Sequence, residues 1–311
     1  MKPVVLQICK LPPTMEEELR RDYDLHRLPD GADGDAWLAS RGEEVRGVVT
    51  GGHLGIANTL VDRLPKLEIV AINGVGFDKV DLPHAKSRRV RVTNTPGVLT
   101  EDVADLAIGL LLAVFRGIPR ADRFVKEGRW PGGEIGLATK VSRSRIGIVG
   151  MGRIGRAIAR RLGGFDAVIS YTDVAEQDVP YAFHPDPVSL AAANRVLIVA
   201  ASASAATRNL IGRPALEALG PQGALVNVAR GSLVDEDALI AVLEEGKLGA
   251  AALDVFADEP NVPETLRAMP NLVLTPHIAS ATVETRAAMA ALVLDNLRAH
   301  FAGEEPPTAL V

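Results

Sequence analysis

Three side chains in the last third of the chain have the chemistry to bind a carboxylate and move a proton. Arg230 stands in Asn227-Val228-Ala229-Arg230-Gly231, Glu259 in Asp258-Glu259-Pro260 and His277 in Thr275-Pro276-His277. A guanidinium fixed in place binds a carboxylate in a fork and polarises a neighbouring carbonyl. Histidine gives or takes a proton near neutrality. A carboxylate hydrogen-bonded to the imidazole orients it and favours its charged form. Taken singly, Arg230 reads as a surface ion pair, Glu259 as a solvated turn residue and His277 as a helix cap. All three, however, fall at or just beyond the carboxyl ends of predicted strands, where ligands gather in open α/β sheets.

The element that positions them is announced by Arg145 to Arg161, RIGIVGMGRIGRAIARR. Ile146, Ile148 and Val149 read as a buried strand. Gly150-Met151-Gly152-Arg153-Ile154-Gly155 follows, and then Ile154, Ile158, Ala159 and Leu162 recur at helical spacing. In this strand, glycine loop and helix, Gly150 permits the tight turn and Gly152 lets a pyrophosphate approach the backbone. Gly155 lets helix and strand pack closely. The helix N-terminus offers free N–H groups to phosphates. Further strands are predicted at Ala167 to Tyr171, Val196 to Ala200, Ala224 to Val228, Ala250 to Asp254 and Leu272 to Thr275. That makes six, the count of a full dinucleotide-binding sheet. Asp173 lies 18 positions beyond Gly155, close to where an acid hydrogen-bonds the adenosine ribose. Thr172 to Pro180 holds three acids and no Lys or Arg, which favours NAD(H) over NADP(H). Arg153, inside the glycine loop, is the main complication, because it could swing toward a 2′-phosphate.

The first hundred residues repeat the strand–helix alternation. Strands are predicted at Val4 to Ile8, Val45 to Val49, Leu67 to Ile72 and Val90 to Thr93. Helices are predicted at Met15 to Arg21, Leu54 to Leu64 and Asp81 to Ser87. Gly51-Gly52 and Gly74-Val75-Gly76 follow strand ends, and the N–H groups of the second could hold a carboxylate. Asn94-Thr95-Pro96-Gly97 reads as a hinge and Thr100 as a helix cap. The helix Glu101 to Phe115 is apolar nearly all round beyond Asp105, so it must be covered by this chain or by a partner. A polar helix is predicted at Arg120 to Gly128, and a long helix, Val283 to Phe301, returns toward the first domain.

A chain of 311 residues, 47% hydrophobic, is globular and long enough for two domains. Its formal charge of −5 gives no footprint for nucleic acid. The one cysteine, Cys9, excludes an internal disulfide and fits a reducing, cytoplasmic setting. It reads as a buried structural thiol. The N-terminus lacks a secretory cleavage pattern, and no apolar run is long enough to span a bilayer. No Cys/His cluster resembles a metal site.

Taken together, GMGRIG at 150–155, NVARGSLVDEDAL at 227–239, ALDVFADEP at 252–260 and NLVLTPHIAS at 271–280 resemble the D-2-hydroxyacid dehydrogenase family. NGVGFDKVD at 73–81 and NTPGVLTEDVAD at 94–105 match as well, so the resemblance covers essentially the whole chain. It is most similar to the glyoxylate/hydroxypyruvate reductase group and also to hydroxyphenylpyruvate reductases. The resemblance implies two Rossmann-like or flavodoxin-like α/β domains with parallel sheets and a cleft between them. The substrate domain would be residues 1–99 plus 285–311, and the dinucleotide domain 100–284. It implies a homodimer joined largely through the helix at 101–115. It assigns Arg230 to the substrate carboxylate and carbonyl, Glu259 to the histidine and His277 to acid/base transfer. Val75 and Gly76 would hold the substrate carboxylate, and Asp254 would lie near the nicotinamide carboxamide. Further cofactor contacts are implied at Ala201, Thr207, Val228 and Ala229. Relatives that use NADPH carry Ser-Arg or Gly-Arg where this chain reads Asp173-Val174, so their cofactor does not carry over. The expected activity is hydride transfer between a nicotinamide and a small 2-oxoacid. The alternatives are an NAD(H)-sensing corepressor-like binding protein and a reductase of aromatic 2-oxoacids.

Overall fold

A computed structural model describes residues 2–311. The chain divides into two compact units, Met1–Leu99 with Ala281–Val311, and Thr100–Ser280. Among the described residues each is built on one sheet whose strand pairings are all parallel.

In chain order the first unit supplies β1 (Val4–Gln7), α1 (Pro13–Asp22), β2 (Asp24–Arg27), α2 (Gly31–Arg41) and β3 (Val45–Gly51). It continues with α3 (Asn58–Asp62), β4 (Ile69–Asn73), α4 (Leu82–Ser87) and β5 (Arg91–Thr93). The second unit runs through α5 (Thr100–Arg116), α6 (Ile118–Lys126), β6 (Arg145–Val149), α7 (Arg153–Gly163), β7 (Val168–Thr172), β8 (Ala182–Phe183) and α8 (Pro187–Ala193). It is completed by β9 (Val196–Val199), α9 (Arg213–Leu219), β10 (Ala224–Asn227), α10 (Glu236–Glu244), β11 (Ala250–Leu253), α11 (Glu264–Ala268) and β12 (Leu272–Leu274). The chain then re-enters the first unit as α12 (Val283–Ala302).

The first sheet has the order β2-β1-β3-β4-β5, a flavodoxin-like arrangement. Its inner strands are mostly apolar, as strands covered on both faces must be. Val48, Val70 and Ile72 face one core and Val5, Val49 and Ile69 the other. Met15 and Leu19 of α1 and Val293, Leu294 and Leu297 of α12 close the second core. The second sheet has the order β12-β11-β10-β9-β6-β7-β8. Chain direction across it reverses between β6 and β9, the crevice where doubly wound sheets take their ligands.

Several elements differ from the sequence expectation. β2 and α2 are additional, as is β8 at the far edge of the second sheet. The helix expected over Leu54 to Leu64 is only α3, because the N–H groups of Leu54 and Gly55 both turn back to the Gly51 carbonyl. Thr100 is the first residue of α5 rather than its cap. The apolar surface of α5 is mostly consumed within its own unit. Val103, Ala104, Ala107, Ile108, Leu110, Leu111 and Phe115 are buried, against α7 and β10 to β12 among others. A narrower strip remains, with Leu106, Leu112, Ala113 and Val114 half-buried and Gly109 exposed.

Candidate active site

The glycine loop connects β6 to α7. Gly150 adopts φ +94°, and a Cβ there would lie 2.6 Å from the Ala201 Cα. The loop after β6 and the loop after β9 therefore touch, backbone to backbone, at the switch point. Gly152 caps α7, whose Ala157, Ile158 and Leu162 face inward while Arg153 and Arg160 stay in water. Asp173 lies one residue beyond β7, which extends to Thr172 instead of ending at Tyr171. Its carboxylate accepts the Met151 N–H at 2.8 Å and the Val174 N–H at 2.7 Å, so it is held against the glycine loop. Beneath it, the buried Tyr171 hydroxyl accepts the Gln177 N–H at 2.7 Å and pins the following loop. Arg156 reaches that loop from α7, donating to the Asp178 carbonyl at 3.3 Å.

The loops after β10, β11 and β12 bring together the three side chains singled out by their chemistry. Asn227 ends β10 and is buried. Its Oδ1 accepts the Ala229 N–H at 3.1 Å and its Nδ2 donates to the Arg230 carbonyl at 2.9 Å. This side-chain turn presents Arg230, whose Nη1 donates to the Ala229 carbonyl at 2.8 Å. The next residue, Gly231, lies so close to the Phe256 carbonyl that no Cβ fits there. The Phe256 N–H in turn donates to Glu259 Oε1 at 3.0 Å.

Glu259 Oε2 lies 2.7 Å from His277 Nδ1, with both side chains about three-quarters or two-thirds withdrawn from water, at 25% and 31% exposure. Burial pushes the Glu259 carboxyl upward. The hydrogen bond and charge of His277, the Phe256 N–H and the charge of Arg230 outweigh it and leave the group below its ordinary value. Glu259 is therefore ionised at neutral pH and can only accept, so Nδ1 carries the proton of this bond. That leaves Nε2 as the ring nitrogen directed away from the carboxylate.

His277 itself has φ +53°, a left-handed backbone that a side-chain-bearing residue seldom adopts. Its N–H donates to the Asp254 carbonyl at 2.8 Å. The Asp254 side chain is fully buried and engages the turn from Thr275 to Ala279.

The other expected contacts are distributed as follows. Ala201, Val228 and Ala229 lie just past β9 and β10. Thr207 sits in a short helical turn, where its Oγ1 accepts the Ser204 N–H at 2.8 Å. Val75 and Gly76 belong to the first unit, beyond β4. Asn94 Nδ2 donates to the Val75 carbonyl at 2.8 Å, and Gly74 packs against Gly52. Among the described residues no group of His, Cys, Asp and Glu could hold a metal ion, and no helix is long and apolar enough to cross a membrane. The sequence reading missed Asn227 and the Met151 N–H. An Asn at a strand end, bonding its own backbone two residues on, is a recognisable turn signal. The Met151 contact has no sequence signature.

Residues 108–279 match the family described as D-isomer specific 2-hydroxyacid dehydrogenase, NAD binding domain. The chain is 46% identical over 308 residues to glyoxylate/hydroxypyruvate reductase A HPR2 of Arabidopsis thaliana, covering 99% of this chain and 98% of that one. Identity is also 46% over 308 residues, with the same coverage, to a hydroxyphenylpyruvate reductase of Plectranthus scutellarioides. Among solved structures, the NADPH-dependent glyoxylate/hydroxypyruvate reductase of Sinorhizobium meliloti, in complex with NADP and malonate, superposes with a TM-score of 0.94. It is 42% identical, and the match covers 100% of this chain and 97% of that one.

Proposed function

Because the chain belongs to the D-isomer specific 2-hydroxyacid dehydrogenase family, we propose that it reduces small 2-oxoacids of the glyoxylate and hydroxypyruvate kind to D-2-hydroxyacids, with NADH as the preferred cofactor. The observation that carries this reading is the His277–Glu259 pair with Arg230 beside it, on three adjacent strand ends of a dinucleotide-binding sheet.

The glycine loop fits a dinucleotide. It has a helix N-terminus, a close approach at Gly150 and an acid, Asp173, fixed against it. Gly150, Gly152, Arg153, Ile154, Gly155 and Asp173 would hold the adenosine and pyrophosphate. Ala201, Thr207, Val228, Ala229 and Asp254 would serve the nicotinamide end. When bound, the nicotinamide supplies the hydride that reaches C2 of the oxoacid. Arg230 takes the substrate carboxylate and polarises the carbonyl. Val75 and Gly76 offer carboxylate-binding amides on their own unit. His277, protonated, gives the Nε2 proton to the carbonyl oxygen as C2 is reduced. Glu259 holds the ring through Nδ1 and stabilises the imidazolium before transfer. In the oxidative direction the neutral ring takes the proton back.

The strip on α5, continued by the exposed Ile118 and Val125 of α6, supports a twofold homodimer. The single cysteine supports a reducing, cytoplasmic setting.

The test is NADH oxidation with glyoxylate, hydroxypyruvate and hydroxyphenylpyruvate, by the wild type and by His277→Asn. Turnover of at least one oxoacid is expected, with kcat lowered roughly 10²–10⁴-fold in the variant, the usual range for a lost acid/base group, and cofactor binding kept. Near wild-type turnover in His277→Asn would remove the histidine from this role. Cofactor binding without turnover of any oxoacid would favour a dinucleotide-sensing protein.

A further inference from the structure

We propose that Thr275 is a positioning residue for the proton-transferring histidine. Its hydroxyl, bonded to the buried Asp254, holds the turn that fixes His277 in its left-handed backbone. The proposal rests on the acid/base reading of His277.

The left-handed conformation at His277 is unfavourable for a residue with a Cβ, and it persists only if the surroundings impose it. Asp254 supplies that constraint. It lies one residue beyond β11 and has no exposed surface. Its Oδ1 accepts the Ile278 N–H at 2.9 Å and its Oδ2 the Ala279 N–H at 2.9 Å. Its main-chain carbonyl accepts the His277 N–H at 2.8 Å. These three bonds fix the far side of the turn. On the near side the Thr275 N–H donates to the Leu253 carbonyl at 2.9 Å, and the Thr275 hydroxyl adds a bond to Asp254 Oδ1 at 2.6 Å, which ties that end to the same carboxyl group. Between the two lies Pro276, whose ring sets its own φ and restricts Thr275 to an extended conformation. The remaining freedom is therefore concentrated at His277.

With both ends of the turn tied to one carboxyl group, the imidazole leaves the backbone on a line that ends 2.7 Å from Glu259. A small rotation at 277 would break that contact and misdirect Nε2. Proton transfer is sensitive to such misplacement, while cofactor and carboxylate binding by other residues is not.

The experiment compares kcat, KM and NADH dissociation constants of the wild type, Thr275→Val and Thr275→Ser, each also in a His277→Asn background. Thr275→Val should lower kcat for oxoacid reduction tenfold or more, with the oxoacid KM and the NADH dissociation constant within threefold of wild type. Thr275→Ser, which keeps the hydroxyl, should restore kcat to within threefold. In the His277→Asn background Thr275→Val should cost less than a further twofold, because a residue acting through His277 has nothing left to position. If Thr275→Val does not fold, Thr275→Ala takes its place with the same expectations. A wild-type kcat in the Val or Ala variant, a Ser variant as impaired as either, or a full additional loss in the His277→Asn background would each overturn the proposal. A His277→Asn variant with near wild-type turnover would instead sink the acid/base reading on which it rests.

Discussion

Asp173 has both carboxylate oxygens engaged by main-chain N–H groups, from Met151 in the glycine loop and from Val174. A group held in this way cannot move aside for a ribose 2′-phosphate. Two unit charges about 4 Å apart repel by about 4 kcal/mol at an effective dielectric of 20. Screening at a half-exposed rim reduces this to roughly 1–3 kcal/mol, or about 5- to 150-fold in preference. NADH should therefore give the higher kcat/KM at one saturating oxoacid concentration. Asp173→Ser with Val174→Arg should narrow or reverse the difference. Equal values in the wild type, or a higher one with NADPH, would show that Arg153 or Arg156 prevails. Glu259 carries a second prediction. Its value in the fold lies below that of the unfolded chain, so its ionised form stabilises the fold above the ordinary carboxylate range. That contribution is lost as pH falls through the depressed folded value. Glu259→Gln should cost about 1–2 kcal/mol in denaturant unfolding above the ordinary carboxylate range. The deficit should shrink as the solution is made more acidic through that range. A deficit that stays constant or grows would contradict the pairing.

At the level of elements, the inner strands were legible because burial on both faces demands unbroken apolar runs, as in Ile69–Ile72 of β4, Ile146–Val149 of β6 and Val196–Val199 of β9. β2 was not, because an edge strand needs little burial. In Asp24–Arg27 only Leu25 is buried, and its charged neighbours suit an edge. α2 was hidden by a Gly- and Asp-rich sequence that buries only Gly34 and Leu38. Arg230, Glu259 and His277 could be found because their residue types are chemically specific and each follows a strand. The bonds that aim them could not. The Gly231 approach to Phe256 and the Asp254 contacts each join segments whose proximity exists only once β10, β11 and β12 are in register, whereas the Asn227 turn is local. The all-round apolar character of α5 overstated its free surface for the same reason, since sequence alone does not say how many neighbours a helix will have.

At the level of the whole molecule, the residual strip on α5 and α6 bears on assembly. Leu112, Ile118 and Val125 lie beside the exposed Arg116 and Asp122, so the surface carries apolar groups and both signs of charge. Such a surface can complement a second copy of itself about a twofold axis. Light scattering at micromolar protein should report a dimer mass without added cofactor, and Ile118→Glu with Val125→Glu should shift it toward the monomer. A wild-type monomer mass would refute the dimer. The division of the first unit into two stretches has a different consequence, for the order in which the nascent chain acquires structure. Val293, Leu294 and Leu297 of α12 close the core formed by Val5, Leu19 and Ile69. They leave the ribosome only after the whole of the second unit has been made. At bacterial and eukaryotic elongation rates that interval is roughly ten to forty seconds. Through it, β1, β3 and β4 wait with one apolar face covered by α1 but not by α12, whereas by its end the second unit has every strand it needs. Synthesis thus favours completing the later unit first, and the strands of the first unit are the ones left longest without their full cover.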